Sequence, residues 1–89
     1  MKQSKIVWIT GASSGIGWAL AQAYNRTGAF VILSARRRDK LHQLQSELPY
    51  PELSYVLPLD LSKHQESTQW VEEAIAQKGH VDILINNGG

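Results

Sequence analysis

The chain has 89 residues, 43% of them apolar, with a formal net charge of +1 and no cysteine. This length accommodates one domain or part of one with an ordinary soluble core, and the small charge gives no field that would favour nucleic acid, a membrane surface or an acidic substrate. A disulfide framework, a thiolate metal site and a thiol nucleophile are excluded, and the lack of thiols fits a reducing cytosol.

The two lysines near the N-terminus precede an apolar run of only four residues, Ile6-Val7-Trp8-Ile9. A secretory signal needs about 7–15 apolar residues and a membrane span about 20, so a cytoplasmic location without a membrane partner is expected. Ile6–Thr10 reads as a short strand covered on both faces. Ile16, Ala19, Leu20, Ala23, Tyr24 and Thr27 then recur at the spacing of one helix face, and Gly28 ends that helix. Val31-Ile32-Leu33 is a second buried strand.

Leu41, Leu44 and Leu48 mark a second helix, stopped before Pro49 and Pro51. Tyr55-Val56-Leu57 is a third strand. Pro58 at its end cannot donate to a central ladder, which predicts a sheet edge. Ser62 and Gln65 make a capping-box start for a third helix, with Val71, Ala74, Ile75 and the Lys78 stem as its inner stripe and Gly79 as its stop. Val81–Ile85 is a fourth strand.

Alternating strands and helices predict an α/β fold, a doubly wound parallel sheet with right-handed crossovers. The expected strand order is 3-2-1-4, with residues 1–89 forming part of a single domain truncated after the fourth strand. No repeat, low-complexity stretch or linker interrupts the pattern.

Between the first strand and first helix stands Thr10-Gly11-Ala12-Ser13-Ser14-Gly15-Ile16-Gly17. Glycines there permit a tight turn and close backbone approach to a pyrophosphate, while the helix start supplies free N–H groups and partial positive charge. The same glycines are also compatible with a merely tight turn. Their G-x-x-x-G-x-G spacing differs from the common G-x-G-x-x-G, and no Lys-Ser/Thr follows to make a Walker A loop.

Three further positions bear on a dinucleotide. Arg36 follows the second strand, about 20 residues beyond the last glycine, where NAD-binding units carry an acid for the ribose hydroxyls. A guanidinium there pairs with a 2′-phosphate through charge-assisted bonds, so NADP is expected over NAD; the competing reading of Arg36-Arg37-Arg38 is a solvated surface run. Asp60, after the third strand, either accepts a bond from the adenine amino group or helps start the next helix. Asn86-Asn87 either bonds the cofactor ribose and ties loops together, or belongs to a plain turn.

His42, His64 and His80 lack metal-ligand spacing, and the adjacent Glu72 and Glu73 point in different directions on a helix. Trp8, Trp18 and Trp70 read as packing residues. No metal site is assigned.

Thr10–Gly17, Ala35-Arg36, Asp60-Leu61 and Asp82-Ile83-Leu84-Ile85-Asn86-Asn87-Gly88-Gly89 together resemble the N-terminal part of a short-chain dehydrogenase/reductase. The resemblance covers nearly the whole chain, which is about a third of a usual member. It implies a Rossmann-type fold and hydride transfer between NAD(P)(H) and an alcohol or carbonyl substrate. Gly11, Ser13, Ser14, Gly15, Ile16 and Gly17 would surround the pyrophosphate and adenosine ribose. Arg36 matches the position tied to NADP preference, Asp60 and Leu61 match the adenine pair, and Asn87 matches the ribose-contacting asparagine. Two departures are a glycine in place of alanine in the Asn-Asn-Ala-Gly motif and Trp18 where polar residues are common. The family's Tyr-x-x-x-Lys pair is absent: Tyr24, Tyr50 and Tyr55 are followed four residues on by Gly28, Ser54 and Leu59. No catalytic residue is therefore assigned. The 89 residues alone are expected to be inactive, and a non-catalytic dinucleotide-binding fragment or an inactive remnant is the alternative reading.

Overall fold

A computed structural model describes residues 5–87, apart from the side chains of Leu61 and His64. The order is β1 (Ile6–Thr10), α1 (Gly15–Arg26), β2 (Phe30–Ser34), α2 (Arg38–Gln45), β3 (Ser54–Val56), a 3-10 segment (Leu61–Glu66), α3 (Ser67–Lys78) and β4 (Ile83–Asn86). The four strands form one parallel sheet in the order β3-β2-β1-β4, as the alternating pattern predicts. All five residues of β1 and all five of β2 are buried, as expected for inner strands covered on both faces. β3 lies at the edge, in agreement with Pro58 just beyond it.

Side chains alternate across a strand, so β1 and β2 each feed two cores. Val7, Ile9, Val31 and Leu33 pack with Ala21 of α1 and Leu41 of α2. Ile6, Trp8, Phe30 and Ile32 meet Ala74 of α3 on the other face. Helices thus cover both sides of the sheet.

Leu41, Leu44 and Leu48 are all buried as expected, but α2 ends at Gln45, so Leu48 packs from the turn beyond the helix. The inner face of α1 differs from the sequence expectation. Gly17, Ala21 and Asn25 are buried, with Leu20 and Tyr24 half-buried at the margin. Ala19, Ala23 and Thr27 face out, and Ile16 is 70% exposed. The helix lies close to the sheet, and small residues occupy the line of nearest approach; counting large apolar residues places the face one position off.

Asn25 is fully buried on that line. Its amide nitrogen donates to the Tyr50 and Leu53 carbonyls at 3.1 and 3.2 Å, and its oxygen accepts the Tyr50 N–H at 2.7 Å. One side chain thereby bonds three backbone groups of the segment leading into β3; the two carbonyls also accept the Leu53 and Val31 N–H groups, whereas the Tyr50 N–H is served by Asn25.

The third helix also begins differently. Ser62 caps no helix; α3 starts at Ser67 after a 3-10 segment kinked at Lys63. Within α3, Ala74 is buried, whereas Val71 and Ile75 are 43% and 40% exposed. Trp70 packs on the sheet. The Lys78 ammonium lies 4.8 Å from the centre of the Phe30 ring, so its stem follows the inner face as expected. Gly79 ends the helix in the left-handed conformation, at φ +91°. Trp18 is half-buried against the α1 and α2 core.

At the amino end of the sheet, Asp82 Oδ2 accepts the Ile6 N–H at 2.8 Å, with His80 Nε2 3.3 Å from the same oxygen. The Ile6 bond, aided by His80 and Lys5, holds the Asp82 carboxyl below its ordinary value. A carboxyl depressed on folding contributes stability above its unfolded pKa and loses that contribution as pH falls through the folded one. We therefore expect Asp82→Asn to flatten the acid limb of the stability curve below about pH 4. Urea midpoints across that range check this; parallel acid limbs for both proteins would remove Asp82 from the role.

Candidate functional site

The carboxyl ends of β1, β2 and β4 meet where Thr10 lies in register between Ser34 and Asn86. Thr10 is the polar end of an otherwise apolar strand. Its hydroxyl donates to Asn86 Oδ1 at 2.9 Å and accepts the Asn87 N–H at 3.1 Å. Asn87 Nδ2 in turn donates to the Gly11 carbonyl at 3.3 Å. A threonine and an asparagine thus tie the β1–α1 turn to the end of β4. The loop-tying reading of Asn87 holds.

Within the turn, Gly11 and Gly15 have φ of +65° and +59°, a region that residues with a Cβ enter only at a cost. The Ala12 N–H is bound to the Ser34 carbonyl at 3.0 Å. Ser14 is the N-cap of α1 but makes no side-chain capping bond, and no acidic residue sits in the first turn. The positive end of α1 is therefore not neutralised by its own sequence. Gly17 faces the turn from the first turn of α1. A Cβ there would overlap the Gly11 carbonyl oxygen and come within 2.7 Å of Asn87 Nδ2.

Beside this turn opens a cleft of about 580 Å³, walled by Thr10, Gly11, Ser13, Ser14, Ala35, Arg36, Arg37, Leu59, Asp60, Ser62 and Asn87. That volume falls in the range of small-molecule sites. Arg37 pairs with Asp39 at 3.1 Å, whereas no ion pair holds Arg36 among the described residues. Asp60 Oδ1 accepts the Ser62 hydroxyl at 2.7 Å and the Ser62 N–H at 3.0 Å. Those two bonds, the hydroxyl first, hold the Asp60 carboxyl below its ordinary value, with the Arg36 charge adding to the effect.

Of the residues singled out in the sequence, Gly11, Ser13, Ser14, Arg36, Asp60 and Asn87 come together on the cleft wall. Gly15, Ile16 and Gly17 form the start of α1 beside it. Leu61 opens the 3-10 segment; its side chain lies outside the described part of the structure, as do Gly88 and Gly89. Asp60 does organise the segment that follows, and its Oδ1 is occupied in doing so. Sequence reasoning missed Thr10 as the hub and Ser62 as a wall residue. The signals were a hydroxyl ending an apolar strand, and a hydroxyl two residues after a carboxylate.

Residues 5–89 match the family described as short chain dehydrogenase. The chain belongs to that family. A dehydrogenase/reductase SDR family protein 7-like from Drosophila melanogaster is 45% identical over 92 residues, covering 96% of this chain and 28% of that protein. A short-chain dehydrogenase structure from Streptomyces avermitilis superposes with a TM-score of 0.89 at 35% identity, covering 99% of this chain and 32% of its own. L-sorbose reductase from Gluconobacter frateurii, complexed with NADPH and L-sorbose, gives a TM-score of 0.86 at 33% identity, covering 98% and 34%. The chain thus spans about a third or less of these short-chain dehydrogenases. Among the described residues no helix is long and apolar enough to cross a membrane.

Alanine in place of glycine inside an exposed helix gains about 1 kcal/mol. At Gly17 the sign reverses: we expect Gly17→Ala to destabilise the chain by about 1–3 kcal/mol through overpacking against the turn. Chemical unfolding measures this, and a stabilised variant would show that α1 does not approach the Gly11 carbonyl so closely.

Proposed function

We propose that the cleft holds NADP(H), and that residues 1–89 are part of the dinucleotide-binding domain of a cytoplasmic oxidoreductase. In the full-length protein the reaction is hydride transfer between NADP(H) and an alcohol or carbonyl compound. One observation carries this reading: an uncompensated helix N-terminus behind a glycine turn shares a cleft with a guanidinium that forms no ion pair among the described residues. Both features suit anions, and their separation along the sequence is that of a pyrophosphate site and an adenosine site. The sorbose reductase that shares this fold was solved with NADPH, which supports the choice of ligand.

In this reading Gly11, Ser13, Ser14, Gly15, Ile16 and Gly17 surround the pyrophosphate and the adjoining ribose. The backbone N–H groups at the start of α1 donate to phosphate oxygens, and the positive φ of Gly11 and Gly15 lets the turn aim them. Arg36 pairs with the 2′-phosphate, Asp60 and Leu61 hold the adenine, and Asn87 reaches the nicotinamide-side ribose while keeping the turn tied to β4. The bound nucleotide supplies the hydride donor or acceptor. What these residues do is bind it, orient it, and favour its phosphorylated form.

None of Tyr24, Tyr50 and Tyr55 stands four residues before a lysine, so a tyrosine proton donor of the family's kind comes from outside the 89 residues. Assay of the 89-residue chain with NADPH and a carbonyl panel is expected to show binding without oxidation.

The cofactor choice is tested at Arg36. Loss of a charge-assisted contact corresponds to about a 10- to 100-fold change in affinity. We expect Arg36→Ala to weaken NADPH by that factor in calorimetric titration and to leave NADH nearly unchanged. Equal losses for both nucleotides would take Arg36 out of the role.

A further inference from the structure

The chain has three asparagines, Asn25, Asn86 and Asn87, and of these Asn87 is followed by glycine. An asparagine amide is open to attack by the backbone nitrogen of the next residue, most readily when that residue has no Cβ to crowd the approach. The structure separates the three. Asn25 is fully buried, bonded at three points and followed by Arg26, whose nitrogen is fixed within α1. For Asn86 the attacking nitrogen would be that of Asn87, and its hydrogen is committed to the Thr10 hydroxyl at 3.1 Å. Asn87 is half-buried on the cleft wall. Its amide nitrogen donates to the Gly11 carbonyl at 3.3 Å, longer than an ordinary N–H···O bond. Gly88 lies outside the described residues, and what counts is that it is a glycine.

We propose that Asn87 is a site of spontaneous deamidation, and that the change disables the turn this residue holds. The Gly88 nitrogen bonds to Asn87 Cγ and gives up its hydrogen, the Cγ–Nδ2 bond breaks, and ammonia leaves with that proton. The cyclic imide that remains takes up one water from solvent, and opening at either carbonyl leaves aspartate or isoaspartate at position 87. Nothing is oxidised or reduced. A carboxylate only accepts hydrogen bonds, so the donor to the Gly11 carbonyl is lost. Two acceptors then face each other where the amide had tied the end of β4 to the β1–α1 turn. The product also places a negative charge on the cleft wall shared with Gly11, Ser13 and Ser14. The broken tie is independent of what the cleft binds; a loss of NADPH affinity rests on reading the cleft as a dinucleotide site.

The test is to age the folded 89-residue chain at mildly alkaline pH and follow its tryptic peptides by mass spectrometry, with isoaspartate detected enzymatically. The acid form is expected to accumulate at Asn87 ahead of Asn86 and Asn25, and Gly88→Ala should slow it several-fold. Equal rates at the three asparagines, or an unchanged rate in Gly88→Ala, would overturn the assignment. The consequence is read on Asn87→Asp, which should lower the urea midpoint. It should also weaken NADPH by about tenfold, the scale of a lost hydrogen bond with an acceptor left unpaired. Asn87→Ala, which removes the donor and adds no charge, should lose less affinity than Asn87→Asp. An Asn87→Asp chain as stable as wild type would show that the change does not disable the turn. Should fresh wild type bind no NADPH, the dinucleotide reading fails, while the mass spectrum and the urea midpoint still decide the inference.

Discussion

The structure depends on how closely α1 can approach the end of β1. The Gly11 carbonyl, the Asn87 amide and the first turn of α1 share a space in which no side chain fits at Gly17. That closeness brings the N–H groups of the helix start to the carboxyl edge of the sheet, where the cleft opens. It also requires the turn to be held from the far side, and the Thr10 hydroxyl does this by serving Asn86 and Asn87 at once. The constraint joins residues from both ends of the chain, so this tie forms only when β4 has paired with β1.

Charge is distributed to match. The first turn of α1 has no acidic residue. Arg37 is engaged by Asp39, and Arg36 lines the cleft with no ion pair among the described residues. Asp60, the one carboxylate on the wall among the described residues, is occupied through Oδ1 by Ser62. The cleft therefore combines a cationic end suited to phosphates with an acceptor surface suited to an amino group. In the proposed reading both serve one ligand, a phosphorylated adenine dinucleotide.

Much of this was legible in the residues. Two inner strands buried on both faces appear as near-continuous apolar runs, and Pro58 marks the edge strand, in agreement with the order 3-2-1-4 that a doubly wound sheet predicts. Most of the proposed phosphate, ribose and adenine residues stand on one wall because they all follow strand ends on one edge of a parallel sheet. What misled was size. Apolar periodicity weights large side chains, whereas the inner line of α1 is Gly17, Ala21 and Asn25, chosen for closeness and for backbone satisfaction. The start of α3 was misplaced because a local rule treats Ser62 as a cap, and here its hydroxyl turns back to Asp60.

The central claim is that the turn between β1 and α1 holds a diphosphate through its backbone, with Arg36 reading the additional phosphate. Amide-resolved NMR of the ¹⁵N-labelled chain during titration with NADPH tests it most directly. The account predicts saturable shifts at Gly11, Ser13 and Gly15 to Gly17, joined by Arg36 with NADPH and much less so with NADH. A folded chain whose turn amides stay in place at millimolar NADPH, or that shifts only at sites away from this edge of the sheet, would contradict it.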